Sequence, residues 1–204
     1  MMSLTGLFLV SFLIVHLSGN FTLLLDDKQP FNDYSAFMSS HWTIRILEIG
    51  LLAGFVIHIF TAAVLTKSNR SARPQGYAYE KANENSSWFS RNMGLTGTVI
   101  LLFLGLHLYN FWFRYKFGEV GMHNGVKDMY GLVVSTFDNE IYLGIYILAF
   151  ILLGMHLNHG FQSAFQTLGL NHRKYNPLIQ KLGSLVAVAF PLGFIVVAVA
   201  CYLK

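Results

Sequence analysis

Residues 93–115 read MGLTGTVILLFLGLHLYNFWFRY, an almost continuous apolar run with one histidine, His107, in its interior. A helix of roughly 20 apolar residues crosses a hydrocarbon layer of about 30 Å, so this run is long enough to span a membrane. An ionisable side chain inside hydrocarbon is costly and usually marks a functional site. The run therefore predicts a membrane helix with a functional imidazole.

The 204-residue chain contains four other apolar runs of similar length. They are Leu4 to Leu25, Trp42 to Thr66, Ile141 to Ala164 and Leu182 to Leu203, beside Met93 to Tyr115. The composition, 54% hydrophobic and 12% charged, argues against a water-soluble globule and favours a helical membrane bundle. We predict a single domain over residues 1–204, an all-α membrane protein with five transmembrane helices.

Charge asymmetry between the loops predicts how these helices are oriented. The loops before the third and fifth runs, with their flanks, hold eight basic and two acidic residues, against six basic and eight acidic residues elsewhere. Cytoplasmic loops retain the excess of lysine and arginine, so we expect a cytoplasmic N-terminus and an external C-terminus. The net charge of +4 then reflects topology, and nothing in it indicates a nucleic-acid partner.

Two runs share a repeated pattern. Leu4-Thr5-Gly6 precedes His16 by the spacing at which Leu95-Thr96-Gly97 precedes His107. Threonine and histidine eleven residues apart share nearly the same helix face at about 100° per residue. The glycine beside them would let a flat macrocycle approach, although close helix packing by small residues is an equally good reason for it. The repeat predicts a duplicated two-helix unit, with the histidine-free fifth helix peripheral to it.

The interior histidines of the first four runs fall at two depths. Counted from the cytoplasmic ends at ~1.5 Å per residue, His16 and His107 lie roughly 18 to 21 Å deep, and His58 and His156 roughly 12 Å deep. Two haem irons, each bound by one such pair, would satisfy this sorting. An iron with both axial positions filled by imidazole leaves no open site for oxygen, which favours electron transfer.

Histidines in membrane helices also serve without a cofactor. A lone one is more often a hydrogen-bonding group or part of a proton relay, so a haem-free histidine-relay transporter is one alternative. A bare anchor for a soluble partner is another, but it leaves the interior histidines unexplained. Since the single cysteine is Cys201 and no Cys-x-x-Cys-His motif occurs, there is neither an internal disulfide nor covalent haem attachment. The first run lacks signal-peptide features, and we expect it to remain as a span.

Several short motifs surround these histidines. They are Leu-Thr-Gly through His16-Leu17-x-Gly19-Asn20, Ser90-Arg91-Asn92-Met93 before His107, and His156-x-x-His159-Gly160-Phe161-Gln162-Ser163 followed by Phe165-Gln166-Thr167-Leu168-Gly169. With them, nearly the whole chain resembles the di-haem cytochrome b membrane subunit of succinate dehydrogenase and fumarate reductase, respiratory complex II, in its menaquinone-linked bacterial branch. The resemblance implies a four-helix haem-binding bundle plus a fifth helix.

The resemblance also implies cofactors and ligands. Two haem b groups are expected, the distal one bound by His16 and His107 and the proximal one by His58 and His156. In the His-x-x-His-Gly motif the first histidine is the implied ligand, which selects His156 over His159. Other respiratory cytochromes b, such as those of nitrate reductases or hydrogenases, are the nearest alternative, but they generally take two ligands from one span.

The partners implied by the resemblance are a flavoprotein subunit and an iron–sulfur subunit on the cytoplasmic face of a bacterial inner membrane. The chain would then pass electrons between the iron–sulfur subunit and menaquinone, in either direction, and would hold no dicarboxylate site itself. A higher oligomer of the complex is compatible with this. Some relatives carry a proton-conducting glutamate in the fourth span, where this chain has Gly154 and Met155, so we expect no such proton path.

Candidate contacts to the haem propionates lie at the start of the third span. Ser87, Trp88 and Arg91 offer donors suited to carboxylates. A basic anchor and an interfacial aromatic residue are the alternative roles of Arg91 and Trp88.

A quinone would be bound near the distal haem, where the outer region offers four polar candidates. They are Asp33, His41, Arg45 and Glu48. Because Arg45 and Glu48 are three residues apart, we prefer the interpretation that they pair on the helix surface.

Overall fold

The computed structural model describes residues 1–72 and 88–204, and this part of the chain is almost entirely helical. The longer helices are α1 Met2–Asn20, α2 Gln29–Ser40, α3 Trp42–Ser71, α4 Met93–His107, α5 Met129–Phe137, α6 Glu140–Thr167 and α7 Asn176–Tyr202. Between them lie a 3-10 turn Phe21–Leu24, one-turn helices Trp88–Arg91 and Arg114–Phe117, a π-helical turn Leu108–Phe113, and a hairpin of β1 Met122–His123 with β2 Val126–Lys127. The predicted all-α fold is confirmed.

Five helical segments in the described residues are long and apolar enough to cross a membrane, as predicted. They are Met2–Leu24, Trp42–Ser71, Met93–Phe117, Glu140–Thr167 and Asn176–Tyr202. The second continues five residues past its predicted end at Thr66, through a polar last turn. The last begins six residues before the predicted Leu182, because Pro177 in its first turn has the fixed φ that suits a helix start.

The four histidine-bearing helices pack as two related pairs. Helix α1 packs on α3, α4 packs on α6, and α1 and α6 join the two pairs. The fifth span does not sit loosely beside them: α7 packs along α6 and also contacts α1. In the most apolar 18-residue stretch of α7, 33% of the residues are buried, against 6% in the corresponding stretch of α3. The outermost span is therefore α3, and α7 is part of the packed interior.

A glycine permits the close contact between α6 and α7. A Cβ atom added at Gly154 would lie 2.6 Å from the Ala187 carbonyl oxygen and 3.0 Å from Pro191 Cγ. Pro191 has no N–H with which to bond the Ala187 carbonyl four residues earlier. The freed carbonyl thus faces the bare backbone of Gly154, and any side chain at this position would push the helices apart.

A polar network ties the segments at the end of the bundle opposite the N-terminus. Asn32 in α2 is completely buried. Its Nδ2 donates to Asp128 Oδ1 at 2.9 Å, and its Oδ1 accepts from the Tyr130 N–H at 2.8 Å. Asp128 caps α5 by accepting the Gly131 N–H at 2.9 Å. We call α2, the hairpin and α5, held by these bonds, the cap.

The Asp128 carboxyl is tuned by these contacts. Partial burial acts to raise its pKa, but the Gly131 N–H, the Asn32 amide and the positive charge of Lys28 outweigh burial. The pKa of Asp128 therefore lies below its ordinary value of 3.8. The ionised form stabilises the cap.

The main apolar core lies in the half of the bundle nearest the cap. Its largest buried members come from α1, the π-helical turn, α5, α6 and α7. They include Leu17, Phe111, Phe137, Tyr146, Phe150 and Phe194. Among the described residues, this cluster includes none from the half of the bundle near the N-terminus. Partly buried residues, such as Leu13 and Phe103, pack around its edge.

Candidate functional site

The four predicted ligands form two pairs of neighbouring imidazoles, whose planes are inclined by 90° and 68°. The ring centroids of His16 and His107 are 5.7 Å apart, and those of His58 and His156 are 6.5 Å apart. A metal–imidazole bond is about 2 Å long and an imidazole centroid lies about 1.1 Å behind its nitrogen, so two rings sharing one metal have centroids roughly 6 Å apart. Both pairs are close to that separation, and each joins the two spans that the sequence paired.

The two levels are farther apart than the depth count indicated. Along α1, Gly6 lies beside the His58 ring, and His16 is ten residues further on. Along α4, Gly97 lies beside the His156 ring, and His107 is also ten residues further on. Ten residues of helix span about 15 Å. The depth count gave about 6 to 9 Å because it placed the apolar ends of all four spans at one level. With His58 beside Gly6 and His156 beside Gly97, Thr66 and Ala164 instead lie roughly 6 to 9 Å beyond Leu4 and Met93.

The repeated glycines hold equivalent positions. A Cβ added at Gly6 would lie 3.6 Å from His58 Cε1 and 4.0 Å from its Nδ1, and one added at Gly97 would lie at the same two distances from His156. The duplicated two-helix unit therefore appears in the packing as well as in the sequence. In the structure the flank of each glycine is covered by the imidazole of the following span.

Aromatic rings surround the pair nearer the cap. Phe12 stacks on His16 at 5.2 Å, and Phe194 lies 5.6 Å from it. The rings near His107 are Phe103 at 5.8 Å, Phe111 at 5.2 Å and Tyr146 at 6.0 Å. Sequence reasoning missed Phe194, because the fifth span carries no histidine and gave no sign that it reaches the site.

A local distortion of the third span follows His107 directly. The helix changes to π-helical geometry over Leu108–Phe113, a form often found at functional sites. It carries Asn110, which is 2% exposed and donates to the Tyr146 hydroxyl at 3.3 Å. The distortion thus places a buried polar pair next to the His107 ring.

The pair nearer the N-terminus has a polar neighbour. Thr5 Oγ1 lies 3.1 Å from His58 Nδ1. The ring facing His58 belongs to His156, and not to His159 three residues later. The geometry therefore favours the same member of the His-x-x-His motif that the resemblance selected.

Two imidazole nitrogens in these pairs lack protein partners. His107 Nδ1 and His156 Nδ1 are buried and have no hydrogen-bond partner among the described residues. Buried polar atoms are nearly always bonded, so each orphan marks a place where a small adjustment or a bound group completes the site.

The donor set restricts which metal group these pairs could hold. Within residues 1–72 and 88–204, no cluster of three or more histidine, cysteine or acidic side chains could hold a bare metal ion. Two facing imidazoles suit an iron that brings its other ligands with it, as a porphyrin does. The residues present therefore fit a haem at each level.

The candidate propionate contacts are only partly described. Ser87 lies outside the described residues, and of Trp88 only the backbone, at the start of a one-turn helix, belongs to them. Arg91 ends that helix and is exposed. The propionate assignment therefore stays a prediction.

The preferred interpretation of Arg45 and Glu48 agrees with their geometry. Arg45 Nη1 lies 3.3 Å from Glu48 Oε2, on the surface of α3. Glu48 Oε1 also accepts from Trp112 Nε1 at 2.6 Å and from Lys116 Nζ. Glu48 thus bonds α3 to the far end of the third span, a link that spacing within one helix does not indicate.

The other two quinone candidates make local bonds. Asp33 accepts from Gln29 Nε2 at 2.7 Å within α2, and His41 Nδ1 lies 2.6 Å from Thr43 Oγ1 at the start of α3. Both side chains belong to exposed residues. No contact among the described residues gathers all four candidates into one cluster.

Comparison with family models, curated proteins and solved structures gives no match to this chain. Assignment of its function therefore depends on the residues and geometry described above.

Proposed function

We propose that the chain is the membrane electron-transfer subunit of a succinate:quinone oxidoreductase, holding two haem b groups. The observation that carries this proposal is that the four imidazoles form two pairs at two levels, with ring centroids 5.7 and 6.5 Å apart. Spans one and three contribute one pair, and spans two and four contribute the other. His16 and His107 would hold the distal haem, and His58 and His156 the proximal one.

The surroundings of the four rings support a buried cofactor. The rings lie in apolar helices, and their burial is costly unless each nitrogen is used. A ring with one nitrogen on iron and the other donating to a protein acceptor would use both nitrogens. A haem iron bound in this way would exchange single electrons and present no open position for another ligand.

The protein environment differs between the two levels in a way that suits this role. Aromatic rings and the apolar core surround the distal pair. The proximal pair lies toward the other end, where basic residues of the loops are concentrated. This end is the one at which an iron–sulfur subunit with its flavoprotein would dock, on the cytoplasmic face of a bacterial inner membrane.

Menaquinone is the proposed partner at the capped end. Of the four polar candidates there, Glu48 is the best placed to act on a quinone, because its carboxylate accepts from Arg45 on its own span and from Trp112 and Lys116 on the third span. A carboxylate so placed could exchange a proton with a reduced quinone, while Asp33 and His41 are bonded within their own segments. At Gly154 there is no room for the glutamate that would conduct protons across the fourth span.

Haem content tests the proposal first. The chain purified from a haem-sufficient host should be red and yield two haem b groups per chain by the pyridine haemochrome assay. A folded, colourless protein would refute the haem assignment and favour a histidine-relay transporter.

Activity of the native complex tests the finer assignment. When isolated through a tag on this chain, the complex should contain a flavoprotein and an iron–sulfur protein and should reduce a menaquinone analogue with succinate. Haem-containing complexes that oxidise hydrogen or reduce nitrate instead would keep the cytochrome and overturn the succinate assignment.

A further inference from the structure

The first-turn threonines of the repeat, Thr5 and Thr96, occupy matched places beside the proximal histidines. Each follows a leucine and precedes the glycine that contacts an imidazole. Thr5 is partly buried, and Thr96 is 3% exposed. Neither threonine is among the four proposed haem ligands.

The Thr5 hydroxyl has one hydrogen, and its own helix takes that hydrogen. Thr5 Oγ1 lies 3.2 Å from the Met1 carbonyl and 3.0 Å from the Met2 carbonyl, the usual bond of a threonine to the preceding turn. A hydroxyl oxygen retains lone pairs after it has donated. With that hydrogen directed to the preceding turn, Thr5 Oγ1 would accept a hydrogen from His58 Nδ1, which lies 3.1 Å away.

This bond determines which nitrogen of His58 can bind a metal. When Nδ1 carries the hydrogen, Nε2 carries the lone pair, since a neutral imidazole has one of each. A hydrogen bond on the far nitrogen also fixes the plane of the ring and strengthens the ring as a donor. Thr5 thus orients His58 toward His156.

Thr96 repeats the same backbone geometry. Its Oγ1 lies 3.2 Å from both the Asn92 and the Met93 carbonyls, so its hydrogen is committed to its own helix as well. Gly97 next to it stands at the same distances from His156 as Gly6 does from His58. His156 Nδ1 is buried without a partner among the described residues.

We propose that Thr5 and Thr96 are a matched pair of positioning residues, which accept the Nδ1 hydrogens of His58 and His156 and direct both Nε2 atoms toward one metal. The inference rests on the proposed haem function for its purpose. The Thr5–His58 contact itself does not depend on a bound group. At His156 the structure shows no such bond, and the proposal assigns it to Thr96, which occupies the place equivalent to that of Thr5.

The first test uses the chain without haem, after expression in a haem-deficient host with ¹⁵N-labelled histidine. Nitrogen NMR should show Nδ1 protonated in His58 and His156. Thr5→Val should shift the His58 signals, Thr96→Val those of His156, and the corresponding serine variants should restore both. Protonation at Nε2 in the unmodified chain, or no effect of the valine variants, would overturn the proposal.

The second test uses the haem-loaded chain. Removing the acceptor weakens the ligand, so Thr5→Val and Thr96→Val should each raise the midpoint potential of the proximal haem and leave the distal haem unmoved. Thr98→Val is the matched control, because Thr98 is exposed and its hydroxyl bonds the Gly94 carbonyl of its own helix. Equal shifts of both haems, or a shift with the control, would contradict a positioning role.

The two tests separate failure of this inference from failure of the proposed function. If the chain binds no haem but its labelled histidines respond as expected, the threonine role stands and the cytochrome assignment falls. If it binds two haems and the valine variants leave the proximal potential unchanged, the cytochrome assignment stands and the threonine role falls.

Discussion

Replacing Gly154 by alanine should separate α6 from α7 and destabilise the bundle. The added Cβ would lie 2.6 Å from the Ala187 oxygen, whereas a carbon and an oxygen in contact normally stay about 3.3 Å apart. The helices must therefore move by roughly 0.7 Å at this point, and forcing an extra methyl group into a packed interior costs about 1–3 kcal/mol.

Gly144→Ala is the matched control on the same helix. Nothing lies within 4 Å of a Cβ added at Gly144, so this variant should gain only the helix propensity of alanine, about 0.5–1 kcal/mol. Gly154→Ala receives the same gain, so the difference between the two variants isolates the packing cost. Denaturant unfolding in mild detergent, followed by circular dichroism, should rank Gly144→Ala above the unmodified chain and Gly154→Ala below it. Equal stabilities of the two variants would refute the close contact.

Three further predictions concern the distal pair, the cap and the link between spans. His16→Ala and His107→Ala should each remove the same haem and keep the other, as measured by redox titration of the purified chain; loss of different haems would disprove their pairing. The folded-state pKa of Asp128 is lowered, so its contribution to stability should be present above the ordinary value of 3.8 and lost as the pH falls through the lowered value. Asp128→Asn should weaken that acid dependence of the thermal midpoint, and an unchanged dependence would count against it. Glu48→Ala should shift Trp112 fluorescence by removing the acceptor of its N–H, with a loss of stability below about 1 kcal/mol because the pair is at the surface; an unaltered spectrum would contradict the bond.

The apolar runs predicted the spans well because the requirement for about 20 apolar residues is set by the bilayer and not by tertiary packing. The short helices between the spans were not predicted. Helix α5 is held in place by Asn32, which contacts Asp128 and Tyr130 nearly a hundred residues away. Such a long-range bond leaves no periodic signal in the sequence.

The histidine pairs were predictable because the spacing of residues in a helix determines their depth along the helix axis and the helix face on which they lie. The repeat added that spans one and three are equivalent, which proved true at Gly6 and Gly97. The separation of the levels was underestimated, since the apolar ends of the second and fourth spans lie beyond those of the first and third. Phe194 contacts His16, and Trp112 donates to Glu48. Both contacts join spans that no sequence motif links, so they could not be predicted.

A density map of the purified chain, at a resolution that shows side chains, is the most direct test of haem binding at both levels. We expect a porphyrin between His16 and His107 and a second one between His58 and His156, each with iron bonded to both rings. Imidazoles contacting only protein atoms, in a chain prepared with sufficient haem, would contradict the assignment of this protein as a di-haem cytochrome.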